Sequence, residues 1–332
     1  MNAAATVLLG ALEGTRMTAA ETRWLSKDGP SGLTLFKRNV TADFSRELSA
    51  LNAAAQHCRP AGAPQLIIAV DQEGGRVSRI PAPFPNLGPA MTLFTDLSGP
   101  AAATALTQYG SLVGAALKAL GINTNFAPVA DILTRPTNDA IGDRAFGLDA
   151  ATVTARAGAF LQGLQSAGVA GCLKHFPGQG DAGADTHYQG ATIAVDRAAL
   201  WDRELAPFRA LAVGTPMVMV SHCIFSAYDE DKPASLSSRI MTDLLRKELG
   251  YRGLIVSDDM NMAAIVQDDQ AWCEALAASL VAGADLLLVC RHLERIERAS
   301  EYFHAESQRS SAFAAVLYDR ATRVYSWRKR LG

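Results

Sequence analysis

Short apolar runs recur along the chain, and each is followed by a polar turn and an Ala/Leu-rich stretch. Eight of these runs have the length and the composition of buried strands. They are 6–12, 32–38, 66–73, 122–129, 169–176, 216–223, 253–260 and 285–290. Helical patterns lie between them, for example at 45–56, 105–121 and 152–168. Because apolar strands that alternate with helices are typical of a parallel sheet covered on both faces, the pattern predicts an α/β fold.

The number of units favours a closed (β/α)8 TIM-like barrel over an open doubly wound sheet. Several helical stretches end at a glycine before the next strand, as expected of a C-terminal glycine stop. These glycines are Gly121, Gly168, Gly250 and Gly283. With no linker or internal repeat in the sequence, we expect one domain over residues 1–332. We expect the helical tail after Cys290 to close the barrel.

Composition and charge narrow the class of protein. The chain has 332 residues, 49% of them apolar, and a net charge of −2 from 31 basic and 33 acidic residues. No basic field therefore predicts nucleic-acid binding, and no apolar run reaches the length of a membrane span. The first apolar run lacks the preceding basic residues of a signal peptide. The five cysteines form no CxxC pair, which favours a reducing compartment, and we expect a cytoplasmic protein.

Polar and ionisable residues collect at the ends of the predicted strands. They are Lys37 to Asn39, Asp71 to Glu73, Asp131, Lys174 and His175, Ser221 and His222, and Asp258 and Asp259. In a barrel enzyme the carboxyl ends of the strands converge on one mouth. Ionisable groups at such positions need partners, because an apolar interior cannot hold them alone. The pattern therefore predicts an active site at the C-terminal ends of the strands.

Two other chemistries fit parts of this pattern less well. Gly178 to Gly183 reads GQGDAG, a G-x-G-x-x-G match, but a polar loop follows it where a dinucleotide site needs a helix. A metal site would draw on histidines and aspartates, namely His175, His187, His222, Asp185 and Asp258. The first strand offers no ligand, and the chain has no HExxH. We therefore predict neither a cofactor nor a metal.

Glycoside hydrolysis is the third possibility. It needs a carboxylate at the anomeric carbon and a group that protonates the leaving oxygen. Asp258 and Asp71 are candidate carboxylates, and donors for sugar hydroxyls are plentiful at Lys174, His175, Arg79 and Arg144. A glutamic acid for the acid role is available at a strand end only as Glu73, which lies beside two glycines and could be structural.

Four motifs resemble those of glycoside hydrolase family 3. They are VDQEGGRVSR (70–79), IGDRAFG (141–147), KHFPGQGDAGADTH (174–187) and VSDDMNM (256–262), and they occur in the order and with the spacing of the family. The likeness is to the bacterial cytoplasmic β-N-acetylglucosaminidases of peptidoglycan recycling, which are single (β/α)8-like barrels. Two positions depart from the family pattern: Gln179 where a histidine is common, and Thr186 where a serine is common.

The resemblance implies a role for each matching residue. Asp258 matches the nucleophile, and Asp185 and His187 match an acid/base dyad in which histidine replaces the usual carboxylic acid. The residues that match the sites holding the N-acetylglucosamine ring are Asp71, Arg79, Arg144, Lys174 and His175. The implied activity is that of a retaining exo-β-N-acetylglucosaminidase. Its small-molecule substrate would be a GlcNAc–1,6-anhydro-MurNAc peptide or a chitooligosaccharide, and no oligomer is required.

The chemistry of histidine suits this role. An imidazole titrates near neutral pH, so it can donate a proton to the leaving oxygen and then accept one from water. A neutral base would also tolerate an anionic acceptor such as phosphate. Three alternatives therefore stay open: a β-N-acetylglucosaminide phosphorylase, a β-glucosidase on the same fold, and a non-catalytic barrel that binds muropeptides.

Overall fold

Eight parallel strands close into a barrel in the computed structural model of the chain, which describes residues 2–26, 29–59, 61–183, 190–265 and 268–331. The barrel strands are β1 (Leu8–Ala11), β2 (Gly32–Leu35), β3 (Ile67–Val70), β4 (Thr124–Asn125), β5 (Ala170–Phe176), β7 (Met217–Val220), β9 (Leu254–Asp259) and β10 (Leu286–Leu288). Two short strands, β6 (Thr192–Ile193) and β8 (Ile224–Phe225), form a separate parallel pair. The ring closes where β1 pairs with both β2 and β10. The predicted barrel is confirmed.

Each of the eight predicted runs contains one barrel strand, but the strands are shorter than the runs. The difference arises because burial continues beyond the last pair of hydrogen-bonded residues. Val7 and Leu12 flank β1 and are fully buried, as is Leu66 before β3. Apolarity in the sequence reports burial, whereas a strand is defined by its pairing with neighbours.

Helices cover the outside of the barrel. They are α1 (Ala3–Thr6), α2 (Ala19–Ser26), α3 (Phe44–His57), α4 (Gly99–Ala119), α5 (Ala150–Ser166), α6 (Arg197–Ala199), α7 (Ala206–Leu211), α8 (Asp269–Ala282), α9 (Leu293–Arg309) and α10 (Ser311–Arg328), with π-helical segments at Leu200–Glu204 and Arg239–Glu248. The three helices quoted from the sequence are confirmed as α3, α4 and α5. The start predicted for α4 was six residues late, because Pro100 is accommodated in its first turn. None of the helices in the described ranges is long and apolar enough to cross a membrane.

The four glycines that were predicted to stop helices all have positive φ angles. The values are 76° at Gly121, 80° at Gly168, 67° at Gly250 and 135° at Gly283. Only glycine adopts such angles without a steric penalty, so each one ends its helix and turns the chain toward the next strand.

Alternate strand residues belong to two separate buried clusters. Leu9, Val256 and Leu288 belong to the smaller cluster, which fills the barrel interior. Their strand neighbours, such as Leu8 and Leu287, belong to the larger cluster between the strands and the helices. Val324 and Trp327 of α10 also join the interior cluster. The C-terminal helix therefore closes the barrel at its amino-terminal end, as predicted.

Helices α4 and α5 approach each other closely at two glycines. A Cβ added at Gly163 would lie 2.2 Å from the carbonyl oxygen of Thr107 and 2.8 Å from the Cα of Gly110. The contact is therefore between backbones, and a larger side chain must push the helices apart.

We predict that Gly163→Ala lowers the free energy of unfolding by about 1–3 kcal/mol, the usual cost of overpacking. The loss should exceed the gain of about 1 kcal/mol in helix propensity. Urea denaturation measures the difference. Gly14→Ala is the control, because a Cβ there meets nothing within 4 Å. Unchanged or increased stability of Gly163→Ala would contradict the close contact.

Candidate active site

The ammonium group of Lys174 lies at the carboxyl end of the barrel, between two carboxylates. Lys174 is on β5, near its carboxyl end, and its side chain is only 2% exposed. Its Nζ lies 2.8 Å from Asp71 Oδ1 and 2.6 Å from Glu73 Oε1. Burial lowers the pKa of Lys174, but the two carboxylates raise it by more, so the net pKa is above the ordinary value. Lys174 is therefore charged and held in place from two sides.

Glu73 links Lys174 to Arg144. The guanidinium of Arg144 donates from Nε and Nη2 to the two oxygens of Glu73, each over 2.8 Å. Burial raises the pKa of Glu73, yet Arg144 and Lys174 together hold it well below its usual range. An ionised carboxylate with three charged contacts is a poor proton donor. The structure therefore favours a structural role for Glu73 over the acid role considered from the sequence.

Asp131 holds His175. The two carboxylate oxygens of Asp131 accept from the backbone N–H of His175, and Oδ2 lies 2.7 Å from its ring Nδ1. Asp131 also accepts from the backbone N–H of Gln179 at 2.8 Å, and it is fully buried. A carboxylate that contacts Nδ1 fixes the proton on that nitrogen and leaves Nε2 for another partner. The carboxylate that pairs with Arg144 is Glu73.

Arg79 reaches the same carboxylate as Lys174. Its Nη2 lies 3.5 Å from Asp71 Oδ2, and its side chain is partly exposed. Its guanidinium also lies over the ring of Phe36, at 5.9 Å from the centroid. The Nε of Arg79 is buried and has no hydrogen-bond partner in the described part of the chain. Asp71 is thus flanked by two cations, one of which has an unused donor.

Asp258 lies near the end of β9 and is half-buried. Its Oδ1 accepts from the backbone N–H of Asp259 at 2.7 Å. Asp71 directly follows β3, and both β3 and β9 belong to the closed parallel barrel. Asp258 and Asp71 therefore lie at the same mouth.

Asp259 is occupied by the protein itself. Its Oδ1 accepts from the backbone N–H and the side-chain amide of Asn261, and from the backbone N–H of Cys290. These contacts tie the end of β9 to the end of β10. They give Asp259 a structural role.

His222 is a buried neighbour of the site that the sequence left unassigned. Its Nε2 lies 3.2 Å from the carbonyl oxygen of Asp259, so Nε2 carries the proton and donates. Its Nδ1 then accepts from the hydroxyl of Ser235 at 2.6 Å. Burial lowers the pKa of His222, although nearby Asp258 opposes the shift. The imidazole is therefore neutral near pH 7 and supports the backbone beside Asp258.

The predicted acid/base dyad, Asp185 and His187, lies outside the described residues. The chain leading to it is anchored at several points. The side-chain amide of Asn138 donates to the carbonyl oxygens of Gln179 and Gly180. Asp181 forms ion pairs with Arg135 and Arg203. The segment up to Gly183 is therefore held against the barrel.

Gln179, a departure from the family pattern, makes defined contacts. Its Oε1 accepts from the hydroxyl of Ser221 at 2.7 Å, and its backbone N–H donates to Asp131. Gln179 is buried, so it supports the loop and Asp131 from below the surface of the mouth. The residue that differs from the family's common histidine is thus one that supports the site through hydrogen bonds.

The structure brings most of the predicted site residues together. Ion pairs join Asp71, Arg79, Lys174 and, through Glu73, Arg144. His175 follows Lys174 directly, and Asp258 lies on the same rim. Sequence reasoning left Asp131 without a role and did not foresee what Glu73 contacts. The sequence did contain one sign that both residues have partners, namely their position just after apolar strands, because a buried carboxylate requires a partner.

Comparisons with known proteins find similarity over nearly the whole chain. A model of the glycosyl hydrolase family 3 N-terminal domain matches residues 5–325. A β-hexosaminidase from Stenotrophomonas maltophilia is 38% identical over 317 residues, which cover 94% of this chain and 90% of that protein.

Two solved structures are also similar. A glycoside hydrolase family 3 β-N-acetylglucosaminidase from Paenibacillus sp. superposes with a TM-score of 0.88 at 33% identity; the match covers 98% of this chain and 62% of the Paenibacillus chain. NagZ from Neisseria gonorrhoeae, solved in complex with N-trifluoroacetyl-D-glucosamine, superposes with a TM-score of 0.81 at 28% identity. That match covers 96% of this chain and 98% of the NagZ chain.

We predict that Glu73→Gln lowers the free energy of unfolding by about 3 kcal/mol near neutral pH, because it leaves buried cations without their carboxylate. The pKa of Glu73 is lower in the folded state than its ordinary value of 4.5. Its charge therefore stabilises the fold fully above that value, and the contribution declines as the pH falls below it.

The difference between wild type and Glu73→Gln should thus shrink as the pH falls below about 4.5. Urea denaturation over a pH series measures it, and Glu13→Gln, at an exposed position, is the control. A difference that stays constant or grows toward low pH would contradict the buried ion pairs.

Proposed function

The chain belongs to glycosyl hydrolase family 3, and from this we propose that it is a retaining exo-β-N-acetylglucosaminidase that removes terminal GlcNAc from peptidoglycan fragments. Its general class, a β-N-acetylhexosaminidase acting on small carbohydrate substrates, follows from relatives that match nearly the whole chain. The observation that carries the finer proposal is the ion-paired group of Asp71, Arg79 and Lys174, at the same end of the barrel as Asp258.

Asp258 is the proposed nucleophile. Its carboxylate attacks the anomeric carbon and forms a covalent glycosyl-enzyme, and the glycosidic oxygen leaves with a proton. The backbone N–H of Asp259 donates a hydrogen bond to Oδ1 of Asp258 and helps to orient its carboxylate. His222, neutral and fixed below it, adds no positive charge that would weaken the nucleophile.

His187 is the proposed acid and base, with Asp185 as the partner that orients its ring. The imidazolium protonates the leaving oxygen, and the neutral ring then removes a proton from the water that hydrolyses the glycosyl-enzyme. This assignment rests on the matching family motif.

The proposed sugar site uses groups that are held in position before the substrate arrives. Lys174 and Arg144 are buried in ion pairs with Glu73, so their orientation costs little on binding. Asp71 can accept from ring hydroxyls, and Arg79 has an Nε donor without a partner in the described part of the chain. His175 presents Nε2, because Asp131 occupies Nδ1.

An N-acetylated sugar, in a fragment of the cell wall, is the proposed substrate. The Neisseria relative was solved with an N-acyl glucosamine, which supports an acetamido sugar here as well. A muropeptide of the anhydro-MurNAc type is expected to place its peptide outside the sugar pocket. We also place the reaction in the cytoplasm, on the basis of the family resemblance.

The first test is release of p-nitrophenol from its β-N-acetylglucosaminide and from the matching β-glucoside, each with and without phosphate. We expect turnover of the acetamido sugar alone, with no need for phosphate. A phosphate requirement with a glycosyl phosphate product would instead establish a phosphorylase. Turnover of the glucoside alone would establish a β-glucosidase.

We predict that Asp258→Gly reduces hydrolysis by at least about 10³-fold, because the nucleophile is lost. Added azide should restore turnover and give the glycosyl azide of inverted configuration, which NMR identifies. Asp243→Asn, an exposed carboxylate on the outer face, should keep wild-type activity. Near-normal hydrolysis by Asp258→Gly, or an azide product of retained configuration, would refute the assignment.

We predict that His187→Ala affects substrates according to their leaving groups. An activated aryl glycoside needs little protonation, so its glycosylation step should change little. A natural disaccharide should lose about 10²–10⁴-fold in kcat/KM, the usual contribution of general acid catalysis. Equal losses on both substrates would contradict an acid role for His187.

A further inference from the structure

The amino-terminal end of the barrel, opposite the mouth, carries a large groove of about 1230 Å³. Its floor is formed by the residues that lead into the strands, such as Gln65 before β3, Ile122 before β4 and Thr215 before β7. Trp327 of α10 forms part of its wall. The groove exceeds the 300–1,000 Å³ that is typical of small-molecule sites. It is therefore large enough for a ligand of several functional groups.

The charged groups that line this groove have one sign. They are Arg59, Lys118, Arg252 and Arg330, and no acidic side chain is found among the described residues of its lining. Lys118, Arg252 and Arg330 form no ion pair with any described residue, in contrast to Arg246 and Arg323 nearby, which share Asp285. The whole chain has a net charge of −2. The concentration of unpaired positive charge is thus a local property of this face.

A buried guanidinium adds to this positive field. Arg328 is 1% exposed, and its Nε and Nη2 donate to the carbonyl oxygens of Gln65 and Pro64, which line the groove. It forms no ion pair with a described carboxylate. Burial, together with nearby Arg59, lowers its pKa to about 9. A buried cation without a counter-charge is costly, and an anion bound in the groove would reduce that cost.

The groove also contains an unused hydrogen-bond acceptor. Asn52 lines it and is 1% exposed. Its Nδ2 donates to the carbonyl oxygen of Leu120, but its Oδ1 has no partner among the described residues. A buried acceptor usually has a donor, supplied by protein, water or ligand. A hydroxyl or amide of a bound molecule would supply one here.

We propose that this groove is a second binding site, separate from the active site, for a soluble polyhydroxylated phosphate ester. The three unpaired cations bind the phosphate oxygens through charge-assisted hydrogen bonds. The acceptor of Asn52 takes a hydrogen bond from a ligand hydroxyl. Because the groove lies at the opposite end of the barrel, its ligand does not compete with the substrate. Phosphate groups at a lipid surface share part of this chemistry, and the experiment separates the two sources.

The experiment is isothermal titration calorimetry with glucose 6-phosphate as the probe, inorganic pyrophosphate as a second anion and glucose as the neutral control. The triple variant Lys118→Gln, Arg252→Gln, Arg330→Gln removes the groove charges. A matched triple variant, Arg46→Gln, Lys232→Gln, Arg309→Gln, removes the same charge from exposed positions elsewhere. Hydrolysis of the aryl N-acetylglucosaminide reports that all proteins are folded, and we expect it to be unchanged in both.

We expect wild type and the matched variant to bind glucose 6-phosphate with a Kd below about 1 mM, and the groove variant to bind it at least about tenfold more weakly. Asn52→Asp should also weaken binding, because it places a negative charge beside the phosphate. Glucose should not bind in the groove.

Three results would overturn the proposal. The first is no binding of either phosphate compound by the wild type. The second is equal binding by wild type and the groove variant, which would assign the ligand to another site. The third is loss of binding to phosphatidylglycerol vesicles in the groove variant without any binding of glucose 6-phosphate, which would identify a membrane surface instead.

Discussion

The ammonium group of Lys174 can be buried in the barrel mouth only because Asp71 and Glu73 lie within hydrogen-bonding distance of it. Moving such a charge out of water without partners would cost several kcal/mol. Glu73 in turn requires Arg144, and Asp71 is shared with Arg79. The geometry of the mouth is therefore a single connected network, in which the position of each charge depends on its neighbours.

The parallel barrel supplies the frame for this network. Strands β3, β5 and β9 all point the same way, so Asp71, Lys174 and Asp258 arrive at one rim although they are far apart in the sequence. The opposite end differs in its electrostatics. At the mouth, cations and carboxylates are paired, whereas Lys118, Arg252 and Arg330 of the groove at the amino-terminal end form no ion pair with a described residue. We propose a neutral sugar as the ligand of the mouth and an anion as the ligand of the groove.

Much of the fold was predictable, because apolar runs of strand length occur eight times with helices between them. The pair β6 and β8 was not, since strands of two residues leave no pattern in the sequence. In the site, motifs predicted sugar-binding roles for Asp71, Arg79, Arg144, Lys174 and His175, and these roles stay predictions. Spacing does not reveal which carboxylate meets which cation. The partners of Asp131 and Glu73 therefore become apparent only in the folded structure. The roles of Asp258, Asp185 and His187 in catalysis stay predictions.

The groove at the amino-terminal end could not be predicted from the sequence, because Lys118, Arg252 and Arg330 come from distant segments of the chain.

The pairing of β1 with β10 has a consequence for how the chain reaches its native state. The strands that close the ring are separated by nearly the whole sequence, so their contact carries a large loop-closure entropy and forms slowly. Until β10 is in place, β1 and β9 each present an unpaired edge that is rich in apolar residues. Such edges readily pair with another chain. Aggregation is therefore most favoured during folding, before β1 and β10 pair and close the barrel.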